Sequence, residues 1–334
     1  MTRAFVCGCA GTALSDDERA FMRDARPWGL ILFKRNVADR AQLRALTDAF
    51  RDAIGRDDAP VLIDQEGGRV QRMGPPHWPA YPAAVRFDAE IGGERALEAA
   101  RLAARLMAYD LKEVGITVDC APDLDVSDSL THAVIGSRSY SQSPERVAAF
   151  GRVVMEGLLA GGVGPVIKHI PGHGRARVDS HLELPVVEAN RAELDARDFA
   201  PFRALRDAPM AMTAHVVYRA IDPDRPATTS RIVIQSIVRE AIGFNGLLFT
   251  DDLSMKALGG PLGERARAAF AAGVDVALHC NGELAEAREV AEVSPELEGA
   301  SLQRAEAALA RIAGAPAPFD VAEGRAALSA YGVA

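Results

Sequence analysis

The 334-residue chain has few cysteines, no cluster of positive charge and no long apolar run, and each shortage removes a class of function. Its four cysteines, Cys7, Cys9, Cys120 and Cys280, lie mainly in apolar segments, and no pair has the spacing of a zinc site or a CxxC redox motif. They read as buried free thiols rather than disulfides. A formal charge of -8, with no local excess of Lys and Arg, excludes the electrostatic footprint of a nucleic-acid binder. No run approaches the roughly 20 apolar residues of a membrane-spanning helix. The opening MTRAFVCGCAGTAL has one arginine before an apolar run that glycines interrupt too early for a signal-peptide core. The cytoplasm is therefore the expected compartment, with no membrane or nucleic-acid partner. Internal repeats, low-complexity tracts and linkers are also missing.

What the chain does have is 49% hydrophobic and 25% charged residues, an ordinary globular balance with material for a large core. Short apolar, β-branched runs recur at 4–9, 29–33, 60–64, 116–121, 163–169, 210–215, 246–251 and 274–279, which makes eight strand candidates. Between them the apolar spacing changes to the three-and-four pattern of surface helices, as in AQLRALTDAFRDAI and ERALEAARLAARLMAYDLKEV. Ser15 with Glu18 has capping-box spacing, Gly55 and Gly115 follow helical runs, and Ser143-Pro144 opens another helix. Eight buried strands, each followed by a helix, predict an α/β fold of the (β/α)8 barrel type; a doubly wound sheet usually uses fewer strands. Residues 1–334 are expected to form a single barrel domain with a short C-terminal helical tail, the Ala- and Pro-rich AGAPAPFD lying after the last barrel helix. The active site of such a barrel gathers at the C-terminal ends of the strands. Asp64, Asp123, His169, His215, Asp251 and His279 all fall at or just past such ends.

Three stretches concentrate chemistry. KHIPGHGRARVDSHLELP, residues 168–185, puts Lys168 and His169 at the end of the fifth strand, follows them with Gly172 and Gly174, and then brings Asp179 and His181. The glycines suggest a loop that moves. A carboxylate two positions from an imidazole can accept its N–H and prepare the other nitrogen for proton transfer; the plainer reading is a turn cap and a loop histidine. In LLFTDDLSM, Asp251 ends the seventh strand with Asp252 beside it, and alternation lets only one of them face the barrel mouth. A nucleophile or electrostatic stabiliser and a helix cap are the two roles open to them. LIDQEGGRVQRM sets Asp64 at a strand end before Arg69 and Arg72, donors and acceptors that suit a polyol; a surface ion pair is the bland alternative for Arg69.

Together with NVADRAQLRAL and AVIGSRSYS, these stretches resemble bacterial family-3 glycoside hydrolases, the β-N-acetylglucosaminidases of the NagZ type, over most of the chain. KHIPGHG, then DSH, then TDDLSM carries the resemblance most specifically. It implies that Asp251 is the nucleophile, His181 the general acid/base and Asp179 its dyad partner, and that Asp64, Arg72, Arg138, Lys168 and His169 bind the sugar. His173 is assigned a structural role in the loop, and Ile170 stands where the family usually has Phe. No metal and no cofactor is implied. A chain of this length matches the single-domain cytoplasmic members, whose substrate is GlcNAc linked β-1,4 to 1,6-anhydro-N-acetylmuramic acid, with or without peptide. A monomer or weak homo-oligomer is expected. Arg175 and Arg177, between the glycines and the dyad, are candidates for holding a substrate carboxylate.

Three rival readings fit parts of the pattern. A metal-dependent barrel hydrolase could use His169, His173, Asp179 and His181 as zinc ligands, although the first strand ends in Cys and Gly rather than in a histidine pair. A sugar-binding protein without catalysis would keep the pocket but has no need of Asp251, Asp179 and His181 together. A GlcNAc phosphorylase on the same scaffold is the third, because a neutral histidine repels phosphate less than a carboxylate does.

Overall fold

Each apolar run becomes a strand because both of its faces are covered. The computed structural model, which describes residues 1–180 and 182–333, closes eight parallel strands into a barrel: β1 (Arg3–Cys7), β2 (Pro27–Leu32), β3 (Val61–Ile63), β4 (Val118–Asp119), β5 (Gly164–Ile170), β6 (Met210–Thr213), β7 (Leu247–Asp252) and β8 (Val276–His279). Neighbours in sequence are neighbours in the sheet, and β8 pairs back onto β1 with Ala277 opposite Phe5. Alternate residues divide between two cores. Ala4, Val6, Trp28, Leu62, Val118, Val166, Met210, Phe249 and Val276 form the inner cluster, with the Trp28 and Phe249 rings 5.4 Å apart. Phe5, Cys7, Leu30, Val61, Ile63, Ile167, Ala211 and Ala277 face outward to the helices. This double burial explains why the strands read as continuous apolar runs rather than as alternating ones.

The helix signals are realised locally. Ser15 accepts the Glu18 N–H while the Glu18 carboxylate accepts the Ser15 N–H, a complete capping box on helix Asp16–Ala25. Ser143 caps Pro144–Ala160, and Gly55 ends Arg40–Ile54 in the left-handed conformation that a Cβ disfavours. AGAPAPFD joins helix Gly299–Ala310 to a further helix, Val321–Ala330, which Arg325 ties to buried Asp110 at 2.7 Å. That last helix buries little more than Gly324 and Leu328, too narrow an apolar stripe to show as helical spacing.

Two features beyond the barrel plan shape its C-terminal mouth. An antiparallel pair, Gln65–Gly67 with Val70–Gln71, follows β3 at once, with Gly67 and Gly68 at positive φ in its turn. Gln65 fixes this hairpin by accepting the N–H groups of Arg72 and Met73 and donating to the Met73 carbonyl. A parallel pair, Val186–Val187 with Val217–Tyr218, lies beyond the segment that follows β5. Among the described residues, no helix is long and apolar enough to cross a membrane.

Candidate active site

Strand ends converge on one cavity of about 280 Å³, walled by Asp64, Glu66, Arg72, Arg138, Lys168, His169, Asp251 and Asp252, with Phe33, Met212, Met255, Leu278 and Cys280 supplying apolar surface. Its polar wall is a chain of alternating charges. Lys168 Nζ donates to Asp64 Oδ1 at 2.8 Å and pairs with Glu66 Oε1 at 2.6 Å. Arg72 donates to Asp64 Oδ2 at 3.0 Å, and Arg138 grips both Glu66 oxygens at 2.8 Å in a planar fork. Burial alone would raise the Asp64 carboxyl, but Lys168 and Arg72 outweigh it and hold it well below the usual carboxylate range. The same two carboxylates overcome the burial that would lower Lys168, and its ammonium is held above its ordinary value. Asp64, Lys168, Arg138 and Glu66 are thus charged together and hold one another in fixed positions.

A second layer supports the first. His169 Nδ1 lies 2.7 Å from Asp125 Oδ2, and its Nε2 faces the Arg138 guanidinium at 3.5 Å. Burial lowers the His169 ring to about 4, so at neutral pH Nδ1 carries the proton toward Asp125 and Nε2 is an acceptor. Asp123 and Asp125 are both raised by burial, Asp123 to about 7 with a further push from the Asp125 charge, and Asp125 to about 6. Donor atoms of Asp123, Asp125 and His169 lie within 4.8 Å of one another, the spacing of a metal-ligand group. The positive charge set against them is Arg138, 3.3 Å from Asp123 Oδ2.

Asp251 and Asp252 both reach the cavity, contrary to simple alternation, because the register of β7 against β8 shifts between Phe249 and Asp252. Their surroundings differ. Asp252 accepts the N–H groups of Ser254 and Cys280 and the Ser254 hydroxyl, the last at 2.6 Å, and so ties the β7 and β8 loops together. Asp251 accepts the Asp252 N–H at 2.8 Å and also borders a niche of about 20 Å³ shared with Arg138, His169, His173 and Ser180. Lys168 and His169, likewise adjacent, both line the cavity where β5 shifts register against β6.

The glycines after β5 serve close approach as well as backbone freedom. A Cβ on Gly174 would lie 2.1 Å from the Val126 carbonyl oxygen, and one on Gly172, at φ +138°, 2.9 Å from that of Asp198. Arg175 donates to buried Asp198 at 2.7 Å, and Arg177 forms a fork with Asp128 at 2.6 and 2.9 Å. Both arginines are therefore engaged within the protein, and residues 171–180 are anchored along their length.

The structure thus brings together Asp64, Arg72, Arg138, Lys168, His169 and Asp251, while Asp179 stands half-buried on the anchored loop. His181 lies outside the described residues. His215 and His279 are at strand ends as expected but turn into the protein. His215 bonds Thr228 and the Asp252 carbonyl, and His279 lies 3.1 Å from Glu286. Sequence reasoning missed Glu66 and Asp125. Each stands two residues after a carboxylate already singled out, Asp64 and Asp123, and that same-face spacing was the available signal.

Residues 7–315 match the family model described as the glycosyl hydrolase family 3 N terminal domain. A β-hexosaminidase of Alkalilimnicola ehrlichii is 43% identical over 283 residues, 83% of this chain and 80% of the relative. One from Thiobacillus denitrificans is 40% identical over 318 residues, 92% of this chain and 85% of its own. Among solved structures, NagZ from Neisseria gonorrhoeae in complex with N-trifluoroacetyl-D-glucosamine superposes with a TM-score of 0.86 at 32% identity, covering 99% of this chain and 98% of that one.

Proposed function

We propose that this chain, which belongs to glycosyl hydrolase family 3 as a β-hexosaminidase, removes terminal N-acetylglucosamine from muropeptides with retention of configuration. The observation that carries the reading is the single cavity in which the Asp251 carboxylate faces the Asp64, Lys168, Glu66 and Arg138 network. That network is an array of fixed donors and acceptors suited to sugar hydroxyls, and its mutual ion pairs spare the substrate the cost of ordering it. In this account Asp64, Arg72, Arg138, Lys168 and His169 hold the sugar. Asp251 attacks the anomeric carbon and the glycosidic bond breaks, giving a covalent glycosyl-enzyme through an oxocarbenium-like transition state. His181, protonated, gives its proton to the departing sugar oxygen; neutral, it then takes one from the water that releases N-acetylglucosamine and regenerates the carboxylate. Asp179 orients that imidazole and balances its charge.

The likeness to β-hexosaminidases and to NagZ supports N-acetylglucosamine as the sugar. The 1,6-anhydro-N-acetylmuramic acid aglycone, the cytoplasmic location, a monomeric or weakly associated state and a barrel acting as catalytic domain on its own extend the same reading. A panel of aryl glycosides tests it: N-acetylglucosaminide should be cleaved and glucoside left almost intact. The first-formed sugar should be the β-anomer by proton NMR, and added phosphate should give no sugar phosphate. Initial release of the α-anomer, or turnover of glucoside alone, would overturn the proposal.

A further inference from the structure

Ser180, between Asp179 and His181 in sequence, is buried, its hydroxyl engaged from the root of its own loop and its carbonyl from the segment after β7. Its Oγ lies 3.2 Å from His173 Nε2, and its carbonyl accepts the Ala257 N–H at 3.2 Å from the segment after β7. His173 is equally buried, and its backbone N–H donates to Asp125 Oδ1, the carboxylate whose other oxygen meets His169. The His169 and His173 rings are 5.7 Å apart. Ser180 and Asp251 also share walls of the 20 Å³ niche, room for about one water.

From this geometry we propose that His173 and Ser180 are positioning residues, and that their hydrogen bond docks the segment bearing Asp179 and His181 onto the sugar-holding layer, while the Ser180 carbonyl ties it to the segment after β7. The inference rests on the proposed glycosidase reading for its kinetic consequence, though not for the docking itself. The direction of the bond follows from His173 Nδ1, which has no hydrogen-bond partner among the described residues. Burial, followed by the nearby His169 ring, holds the His173 ring to about 3, so it is neutral at working pH. An orphaned N–H is rarer in proteins than an orphaned acceptor, so the proton sits on Nε2 and is donated to Ser180 Oγ.

This assignment separates two conservative variants. In His173→Gln the side-chain amide reaches the position of Nε2 and can donate to Ser180, whereas in His173→Asn it reaches only that of Nδ1. If the bond positions the acid/base, Ser180→Ala and His173→Asn should lower kcat/KM on the anhydromuramyl disaccharide by roughly 10- to 100-fold, part of what a general acid contributes. Glycosylation by dinitrophenyl N-acetylglucosaminide, which needs little protonation, should stay within about threefold, with KM unchanged, and His173→Gln should recover most of the loss. Amide hydrogen exchange across 174–184 should quicken in Ser180→Ala and return toward wild type in His173→Gln. Equal losses on both substrates, equal behaviour of Gln and Asn, or unchanged exchange would overturn the proposal. Wild-type protein inactive on both substrates would instead sink the glycosidase reading, with the exchange data still deciding the docking.

Discussion

Replacing Glu66 by glutamine removes one negative charge from the centre of the cavity wall while keeping its shape. In the native site Glu66 accepts two hydrogen bonds from Arg138 and pairs with Lys168 at 2.6 Å. The glutamine carbonyl can satisfy one of these donors, but the new NH₂ faces a cation that also donates. Hydrogen bonds to charged groups contribute about 1.5–3 kcal/mol each, and breaking a buried ion pair costs about 3–5 kcal/mol. Arg138 keeps Asp123 at 3.3 Å and Lys168 keeps Asp64 at 2.8 Å, so the low end of that range, about 3 kcal/mol, is expected. A large domain loses roughly 2 °C in thermal midpoint per kcal/mol, which gives a fall of about 6 °C. Because both cations are proposed to hold the sugar, kcat/KM should fall about 10- to 100-fold, the equivalent of about 1.4–2.8 kcal/mol. Differential scanning calorimetry and steady-state kinetics on an aryl N-acetylglucosaminide read the two effects. A midpoint within 1 °C of wild type together with kcat/KM within twofold would refute the idea that Glu66 organises the site.

Asp252→Asn should lower the thermal midpoint by several degrees, since it weakens the ties from Ser254 and Cys280, yet still form a covalent intermediate on its neighbour, which intact-protein mass spectrometry detects. Asp123, raised to about 7 by burial and by Asp125, keeps its proton when folded across a range where the unfolded chain, at about 4, has lost it. Its contribution to stability is therefore full below about pH 4 and lost as pH rises through about 7, so the midpoint of Asp123→Asn relative to wild type should climb between about pH 4 and pH 7 and level off above; parallel curves would contradict this. Arg175→Ala should destabilise more than Arg177→Ala in thermal melts, because it strands buried Asp198, whereas the exposed Arg177 pair with Asp128 is of the kind that contributes about 0–1 kcal/mol.

Strands and cavity were legible in the sequence for a shared reason: a barrel buries its strands on both faces and exposes polar groups only where strands end, so Asp64, His169 and Asp251 stand out against apolar runs. The same rule could not tell these residues from His215 and His279, whose rings turn toward Thr228 and Glu286. Glu66 and Asp125 were missed because their partners arrive from distant parts of the chain, Arg138 from a 3-10 turn 72 residues away and His169 from a strand 44 residues away. Asp251 and Asp252 defied alternation through a register shift that no residue pattern announces. Gly174 has a further reason to be glycine, the close approach of the Val126 carbonyl, a contact visible only once the chain has folded.

If Asp251 carries the sugar, a fluorosugar will capture it there. A 5-fluoro N-acetylglucosaminyl fluoride should inactivate the enzyme and add one glycosyl mass, which peptide mapping by tandem mass spectrometry locates on Asp251 and which Asp251→Ala abolishes. A label on Asp252 or any other residue, or steady turnover with no covalent adduct, would contradict the account.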